Sequence, residues 1–412
     1  MPSIDSRALP EVTARPARTQ ARDFAAGIIL SGFALGLILA FTDLKTEDTA
    51  LYRDPGWDRH LYRLMAEQGI FEFRLAPYCW RVFVPAIAGW SPFSLQASFF
   101  TITLAALWAT GVSLFLLARR TGHSLSLAAA GVLLFFSLGW GAKFILADFW
   151  IPDGVAFLLV TFALWTALER RLYLFSAVMV LGAITKESVL LAAPLYFCLN
   201  VRRPFDWRFA GRCLVALAPA AFVLVAVRLG IAQGNGDEAY FATMPEDIRR
   251  FPELYGPYNY WTLFEDIGRE QRLDDWSLRA LWSYTTSPFG WALPLLAALG
   301  TRRLRRVALG MLPFFLLTYA QLLFATDTQR LLVLVAPCLV VLALEGAADL
   351  RGRIAFAQPF VLLVSVAVFS LVLTARQDYD TNLASQVIVM VGGGVIAMAL
   401  ALVRRRELDA GV

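Results

Sequence analysis

The sequence predicts an all-α fold: a polytopic membrane helical bundle of about twelve segments, some short or broken, with helical outer loops. Three observations carry this. Of 412 residues, 58% are hydrophobic and only 17% charged, more apolar surface than a soluble domain of this length could bury. Apolar stretches of about twenty residues, long enough to cross roughly 30 Å of hydrocarbon, recur along the chain. Arginines gather at alternate ends of those stretches, the bias that sets membrane topology.

In chain order, the segments read as 24–42, 94–118, 124–141, 154–168, 172–184, 188–200, 209–230, 288–300, 307–325, 331–348, 354–374 and 383–403. The first follows a polar tail, 1–23, with no small-residue cleavage site, so it is expected to be an anchor and not a removable signal. Arg119–Arg120, Arg170–Arg171, Arg202–Arg203, the run "RRLRR" (302–306), Arg351, Arg353 and "RRR" (404–406) fall on one side with that tail. Counting whole loops, that side carries 21 Lys/Arg against 9 Asp/Glu and the other 16 against 23. By the positive-inside rule the basic side is cytoplasmic. The expected arrangement is multi-pass in the cell membrane with both tails, 1–23 and 404–412, inside and a membrane domain over 24–403.

The net charge of +5 sits at helix ends, which argues for topology and against a nucleic-acid partner. Cys79, Cys198, Cys213 and Cys338 have no metal-site spacing, and only Cys79 falls in an outer loop, so neither a disulfide framework nor a Cys/His metal centre is expected. "VGGGV" (391–395) lies inside an apolar segment and does not make a phosphate-binding loop; His123 stands alone near a turn.

The outer face holds the unusual sequence: long loops over 43–93 and 231–287 and a short one, "KFILADFWIPD", over 143–153. Loops of that length exceed what connectors need. Within the second, "DDWSLRALWSY" (274–284) reads as a capped amphipathic helix lying in the interface.

Four clusters on this face could carry chemistry. In "GWDRHLYRLMAEQG" (56–69), Trp57, Leu61, Leu64 and Met65 share a helical face, while Arg59, Arg63 and Glu67 point elsewhere. Asp58 opens that helix, where an acid could cap free N–H groups or act as a base, with His60 beside it and Asp54 four residues earlier as a second candidate acid. In "DFWIPDG", Asp148 and Asp153 sit at a membrane junction; an acid at bilayer depth costs about 2.5–3.5 kcal/mol unless a cavity or partner receives it. Lys186 and Glu187 interrupt a nearly apolar stretch whose halves, about 18–20 Å each as helices, cannot cross separately. Because Arg170–Arg171 and Arg202–Arg203 share a side, the stretch is expected to form two half-helices meeting at a polar cavity. In "ATDTQRLLVLVAP", Asp327 and Arg330 form an outer turn, where an arginine can bind a phosphate with two N–H groups or close a loop ion pair.

"WDRHLYRLMAEQG" followed by "RVFVPAIA" (81–88) resembles the first outer loop of GT-C glycosyltransferases, in the W-D-x-x-x-Y-x-x-x-A-x-x-G form of lipid-dependent mannosyltransferases. "AITKESVLLAAP" resembles their Lys/Arg-Glu segment, and "DTQRLLVLVAP" their late R-x-L-x-x-x-x-P hairpin. The resemblance spans about residues 24–345. It implies an inverting transferase that takes a sugar from a polyprenyl-phosphate carrier and delivers it to an extracytoplasmic glycan, lipid or protein. It also implies Asp58 as catalytic base, with Asp54, Asp148 and Asp153 as supporting acids. Lys186, Arg330 and Arg81 would hold the donor phosphate, and Glu187, His60 and Asp327 would line the cavity. No cofactor is obligatory in this reading; the first loop lacks an adjacent acidic pair, which leaves a divalent metal open. The competing expectation is a secondary transporter or flippase, which about twelve spans would suit, although no internal symmetry is visible. A third is a non-catalytic protein of envelope polysaccharide assembly.

Overall fold

The structure, a computed structural model, describes residues 17–41, 58–201, 203, 206–249, 277–290, 292–323 and 328–353, with isolated positions at 363, 364, 367 and 391. The segments read at 354–374 and 383–403, the C-terminal tail, most of the N-terminal tail, Asp54 and Asp327 lie outside the described residues. Among those described, the chain is 82% helix with no strand. Four helices are long and apolar enough to cross a membrane, or five if one bent pair counts as a span. The fold is thus all-helical, with the lengths and composition of a membrane bundle.

Two long helices, α1 (Ala17–Phe41) and α4 (Leu95–Arg120), run antiparallel. The Trp108 indole donates to the Ile28 carbonyl at 3.0 Å, and Gly27 packs against Phe115, so the pairing runs backwards along both chains. Between them come α2 (Asp58–Gln68) and α3 (Phe83–Trp90), short helices of the long connection from α1 to α4. Ser94 caps α4 by accepting from the Ala97 N–H.

The segment expected as one span over 124–141 is instead bent. Helix α5 (Leu125–Phe136) ends at Ser137, whose hydroxyl donates back to the Leu134 carbonyl at 2.8 Å. A π-type turn over Gly139–Lys143 follows, and the chain swings by 61° into Phe144–Ala147. Two glycines in "GWGAK" and a π-turn are a known cause of such a kink. The stretch 143–153, expected as a short outer loop, is helical over Phe144–Ala147 and packed into the core, with Phe144, Ile145, Leu146 and Ile151 fully buried.

Next come α6 (Asp153–Leu168) and α7 (Leu172–Thr185), joined by a turn in which Arg170 adopts a positive φ. Helix α7 stops at Thr185, Lys186 is extended, and a 3-10 turn over Glu187–Ala192 leads into α8 (Pro194–Asn200). This is the broken segment that the span lengths called for. A methyl group on Gly182 would lie 2.6 Å from Val189, so glycine lets the returning chain fold tightly back. The long α9 (Trp207–Gly230), with 11% of its most apolar window buried, lies at the periphery, its Leu214, Val215, Phe222 and Leu229 exposed.

The interface helix expected over 274–284 starts at Leu278: Ser277 caps α10 (Leu278–Phe289), and residues 274–276 lie outside the described set. Helices α11 (Ala292–Gly300) and α12 (Arg305–Ala320) follow, then the one-turn α13 (Thr328–Leu332) and α14 (Ala336–Arg353). Helix α14 is central, with 78% of its apolar window buried. It crosses α11 where Gly300 and Gly346 face each other's helix so closely that a methyl group on either would overlap a backbone carbonyl, Leu342 or Leu296. Small residues at such a crossing let backbones touch.

Arg119, Arg120, Arg171, Arg303 and Arg306, expected on one side, do meet at one end of the bundle. Arg119 pairs with Asp23 at 2.9 Å, Arg120 and Arg171 with Glu169, His123 with Glu345 at 3.3 Å and Arg303 with Asp349 at 3.0 Å, while Arg306 donates to the Val201 carbonyl at 2.9 Å. The starts of α6 and α14 and the break after α7 therefore lie at the other end.

Candidate functional site

At that other end, residues far apart in sequence meet. The apolar stripe of α2 decides how Asp58 is presented: Leu61, Tyr62, Leu64 and Met65 are buried against the bundle, leaving Arg63 and Glu67 to pair on the surface at 2.8 Å. Arg59, expected to point away, is buried as well, because it faces Asp148 across 3.7 Å. The helix closes at Gly69, whose φ of 103° suits glycine. Its Ala66 carbonyl lies so near Gly89 of α3 that a methyl group there would sit 2.8 Å away.

Both Asp58 oxygens point outward from the helix start to other elements. Oδ1 accepts from the Tyr78 hydroxyl at 2.8 Å, and Oδ2 meets Nη2 of Arg330 at 2.6 Å. Arg330 in turn grips Asp153, Nε to Oδ1 at 3.0 Å and Nη2 to Oδ2 at 3.3 Å. The Lys186 ammonium donates to the same Oδ1 at 2.6 Å. Asp153, Lys186 and Arg330 are only 4–5% exposed. One guanidinium therefore joins the start of α2, the start of α6 and the turn of α13, and the extended residue after α7 closes the group.

A second pair braces the first. Arg81 binds Glu187 with two N–H groups, at 3.0 and 2.5 Å, and donates from Nη1 to the Tyr62 hydroxyl at 2.8 Å. The rings of Tyr62 and Tyr78 meet edge-on at 5.5 Å. Bidentate arginine–carboxylate contacts fix orientation as well as charge. The stretch after α9 is tied on too: the Tyr240 hydroxyl accepts from the Arg74 N–H at 2.7 Å, and Asn235 Oδ1 from the Ala76 N–H at 2.7 Å.

The electrostatics follow from these partners. Burial pushes the Asp58 carboxyl up, but Arg330, Arg81 and the Tyr78 hydroxyl outweigh it and hold it below the usual carboxylate value. Burial and the Asp58 carboxylate both push Tyr78 well above the ordinary phenol range, so it stays a donor. Burial opposes the charge on Arg81, but Glu187 and Tyr62 more than restore it. The Cys79 thiol, buried in the same loop, is pushed up to about 12 by burial and is no ready nucleophile.

Of the residues singled out from sequence, Asp58, Asp153, Lys186, Glu187, Arg81 and Arg330 thus form one connected group. Asp148 is fully buried and faces Arg59. His60 is part-buried, two residues from Asp58 and so roughly 200° around the helix from it. Tyr62 entered only as the tyrosine of the W-D-x-x-x-Y pattern, and Tyr78 was not singled out. Tyr62 stands one helical turn after Asp58, and Tyr78 three residues before Arg81, spacings that could have flagged them. Among the described residues no trio of His, Cys, Asp or Glu stands close enough to hold a metal ion. The acids of the group face arginine and lysine rather than one another.

Such an arrangement offers a carboxylate, two buried cations that an incoming anion could share, and phenolic donors, at one end of an apolar bundle. No protein-family model matches the chain, and no match is found among the curated proteins or the solved structures.

Proposed function

We propose that the protein is an inverting glycosyltransferase of the polytopic GT-C type that moves a sugar from a polyprenyl-phosphate carrier to an acceptor on the extracytoplasmic side. The observation that carries this is the shared guanidinium: Arg330 bridges Asp58 and Asp153, with Lys186 on the same acid. Arginine and lysine so placed suit a phosphodiester, and a phosphate taking one edge of Arg330 would free Asp58. The carboxylate then loses the charge that holds its proton affinity down, which answers the weakness of an ion-paired acid as a base.

In the proposed step the acceptor hydroxyl gives its proton to Asp58 while its oxygen bonds to the anomeric carbon. The bond from that carbon to the phosphate oxygen breaks, and the carrier leaves as a phosphomonoester. The extra negative charge arises beside Arg330 and Lys186, where preorganised cations are worth most. Inversion needs no covalent enzyme intermediate, so one base suffices. Tyr78 orients Asp58, and the Arg81–Glu187–Tyr62 brace keeps the break after α7 in register. The bundle is read as about twelve membrane segments with the arginine-rich end and both tails cytoplasmic.

The test is sugar transfer from a synthetic polyprenyl-phosphate sugar. Asp58→Asn should lower the rate about 10²–10⁴-fold, while Asp54→Asn stays near normal. Loss of activity in Asp54→Asn with Asp58→Asn unaffected would move the base to Asp54, and no effect from either acid in folded protein would end the transferase reading.

The helix broken at Lys186 also suits a carrier, since discontinuous helices form transporter sites. Uptake of a lipid-linked or small polar substrate into proteoliposomes without any transfer product would favour that second reading.

A further inference from the structure

At the arginine-rich end, a cavity of about 380 Å³ opens between the start of α1 and the end of α4, lined by Arg18, Thr19, Arg22, Asp23, Arg119 and Leu125. We propose that it holds the phosphate headgroup of an anionic phospholipid, whose acyl chain lies along α1. The site is separate from the Asp58 cluster and stands whether or not the transferase reading does.

The back of the cavity is built. The buried Asp23 fixes the Arg119 guanidinium through Nε at 2.9 Å, and Nη1 donates to the His123 carbonyl at 2.5 Å. Arg18 and Arg22 stand one helical turn apart, exposed, on the front. Like charges at that spacing repel each other, and an anion between them removes the repulsion. Three arginines against one acid leave the cavity cationic.

The same helical stripe says why the anion is a lipid. Positions 18, 22, 29 and 33 follow one another at spacings of four, seven and four, so they share a face. Beyond the two arginines that face is apolar and open, with Ile29 at 68% and Phe33 at 61% exposure. From Arg22 to Phe33 the helix rises about 16 Å, close to half of the roughly 30 Å hydrocarbon core. A charged pocket that continues into an apolar track the depth of one leaflet fits a phosphate with an acyl chain attached better than a soluble anion. Helices α1 and α4 are both among those long enough to cross a membrane.

The experiment uses the full chain in neutral detergent, titrated separately with dioctanoyl phosphatidylglycerol, dioctanoyl phosphatidylcholine and inorganic phosphate, reading the thermal unfolding midpoint. Phosphatidylglycerol should raise the midpoint, and the other two should not at equal concentration. A basic residue near an anionic lipid contributes about 1 kcal/mol, so Arg18→Gln with Arg22→Gln should weaken phosphatidylglycerol about 30-fold. Both side chains are exposed, so the lipid-free midpoint should hold, and lysine at both positions should recover most of the affinity. Arg302→Gln with Arg305→Gln, at the same end but outside the cavity, should change little. Wild-type affinity in the Arg18/Arg22 variant, an equal loss in the Arg302/Arg305 variant, or an equal shift from phosphatidylcholine or phosphate alone would each overturn the proposal.

Discussion

The two ends of the bundle use their charges differently. At the arginine-rich end, pairs join neighbouring helix termini: Arg119 with Asp23, Arg303 with Asp349, His123 with Glu345. Asp23, His123 and Asp349 are buried there, but Arg171 and Arg303 stay about half exposed, so a cation that loses its acid can still reach water. At the other end, Asp153, Lys186 and Arg330 are nearly sealed and one guanidinium serves two acids from distant parts of the chain. Charges that only mark topology can stay wet, where an ion pair contributes about 0–1 kcal/mol. Taking a charge out of water costs several kcal/mol per ion, offset only by close partners. A bundle needing only to close its loops could use apolar residues there, and so the buried group points to function.

The comparison breaks most visibly at Asp153. Asp153→Ala leaves Arg330 and Lys186 without their shared carboxylate. Removing one member of a buried pair costs about 3–5 kcal/mol, and chemical denaturation in detergent should show it. Removing Asp349 at the opposite end should cost under about 1 kcal/mol, since Arg303 is half exposed. Equal losses would erase the distinction between the ends.

Next in size is the glycine crossing, which belongs to neither charged end. Gly346→Ala pushes a methyl group into the Leu296 carbonyl. Overpacking of this kind costs about 1–3 kcal/mol, whereas alanine at Gly36, with open space around it, should be neutral or slightly stabilising. Unfolding midpoints of the two variants check this.

A smaller effect separates the ends by pH. The carboxyl of Asp58 is lowered in the folded protein, so its ion pair stabilises fully above the unfolded value of about 3.9. That stabilisation is lost as pH falls through the folded value. Asp58→Asn should therefore flatten the acid limb of the stability profile below about pH 4 and leave the region near pH 6–7 unaltered in slope. An unchanged acid limb would mean that the Asp58–Arg330 contact does not persist in solution. Smallest of all, Arg63→Ala removes a surface pair with Glu67 and a long contact over the Trp150 ring at 6.0 Å, and should cost no more than about 1 kcal/mol.

Much of this was legible in the sequence, and the parts that were not share a physical reason. Hydropathy and arginine placement found the apolar helices, four or five of them long enough to cross a membrane among the described residues, and gathered the basic ends, because both depend on composition along one segment. The break at Lys186 followed from length together with the shared side of Arg170–Arg171 and Arg202–Arg203. The bend after Phe136 did not, since the apolar run continues through Trp140 and only the backbone turn over Gly139–Lys143 shows it. The acids and cations were visible as interruptions of apolar runs. Who pairs with whom was not: Arg330 lies 177 residues from Asp153, and the partner is set by packing of whole helices. Arg59 looked solvated because its helical position faces away from Leu61 and Leu64, yet Asp148 receives it. Tyr62 and Tyr78 carry no charge and were hidden among the chain's other aromatics.

The most direct measurement of the central claim is made on Asp58→Asn, reading donor binding, single-turnover transfer and unfolding in one preparation. Asparagine keeps the size of the side chain and one oxygen for Tyr78. If the buried group is a working site, polyprenyl-phosphate sugar should bind within a few-fold of wild type and the protein should stay folded. Transfer of bound donor should then fall about 10²–10⁴-fold. Transfer per folded molecule that matches wild type, with stability falling as it does in Asp153→Ala, would show the group to be a brace and contradict the account.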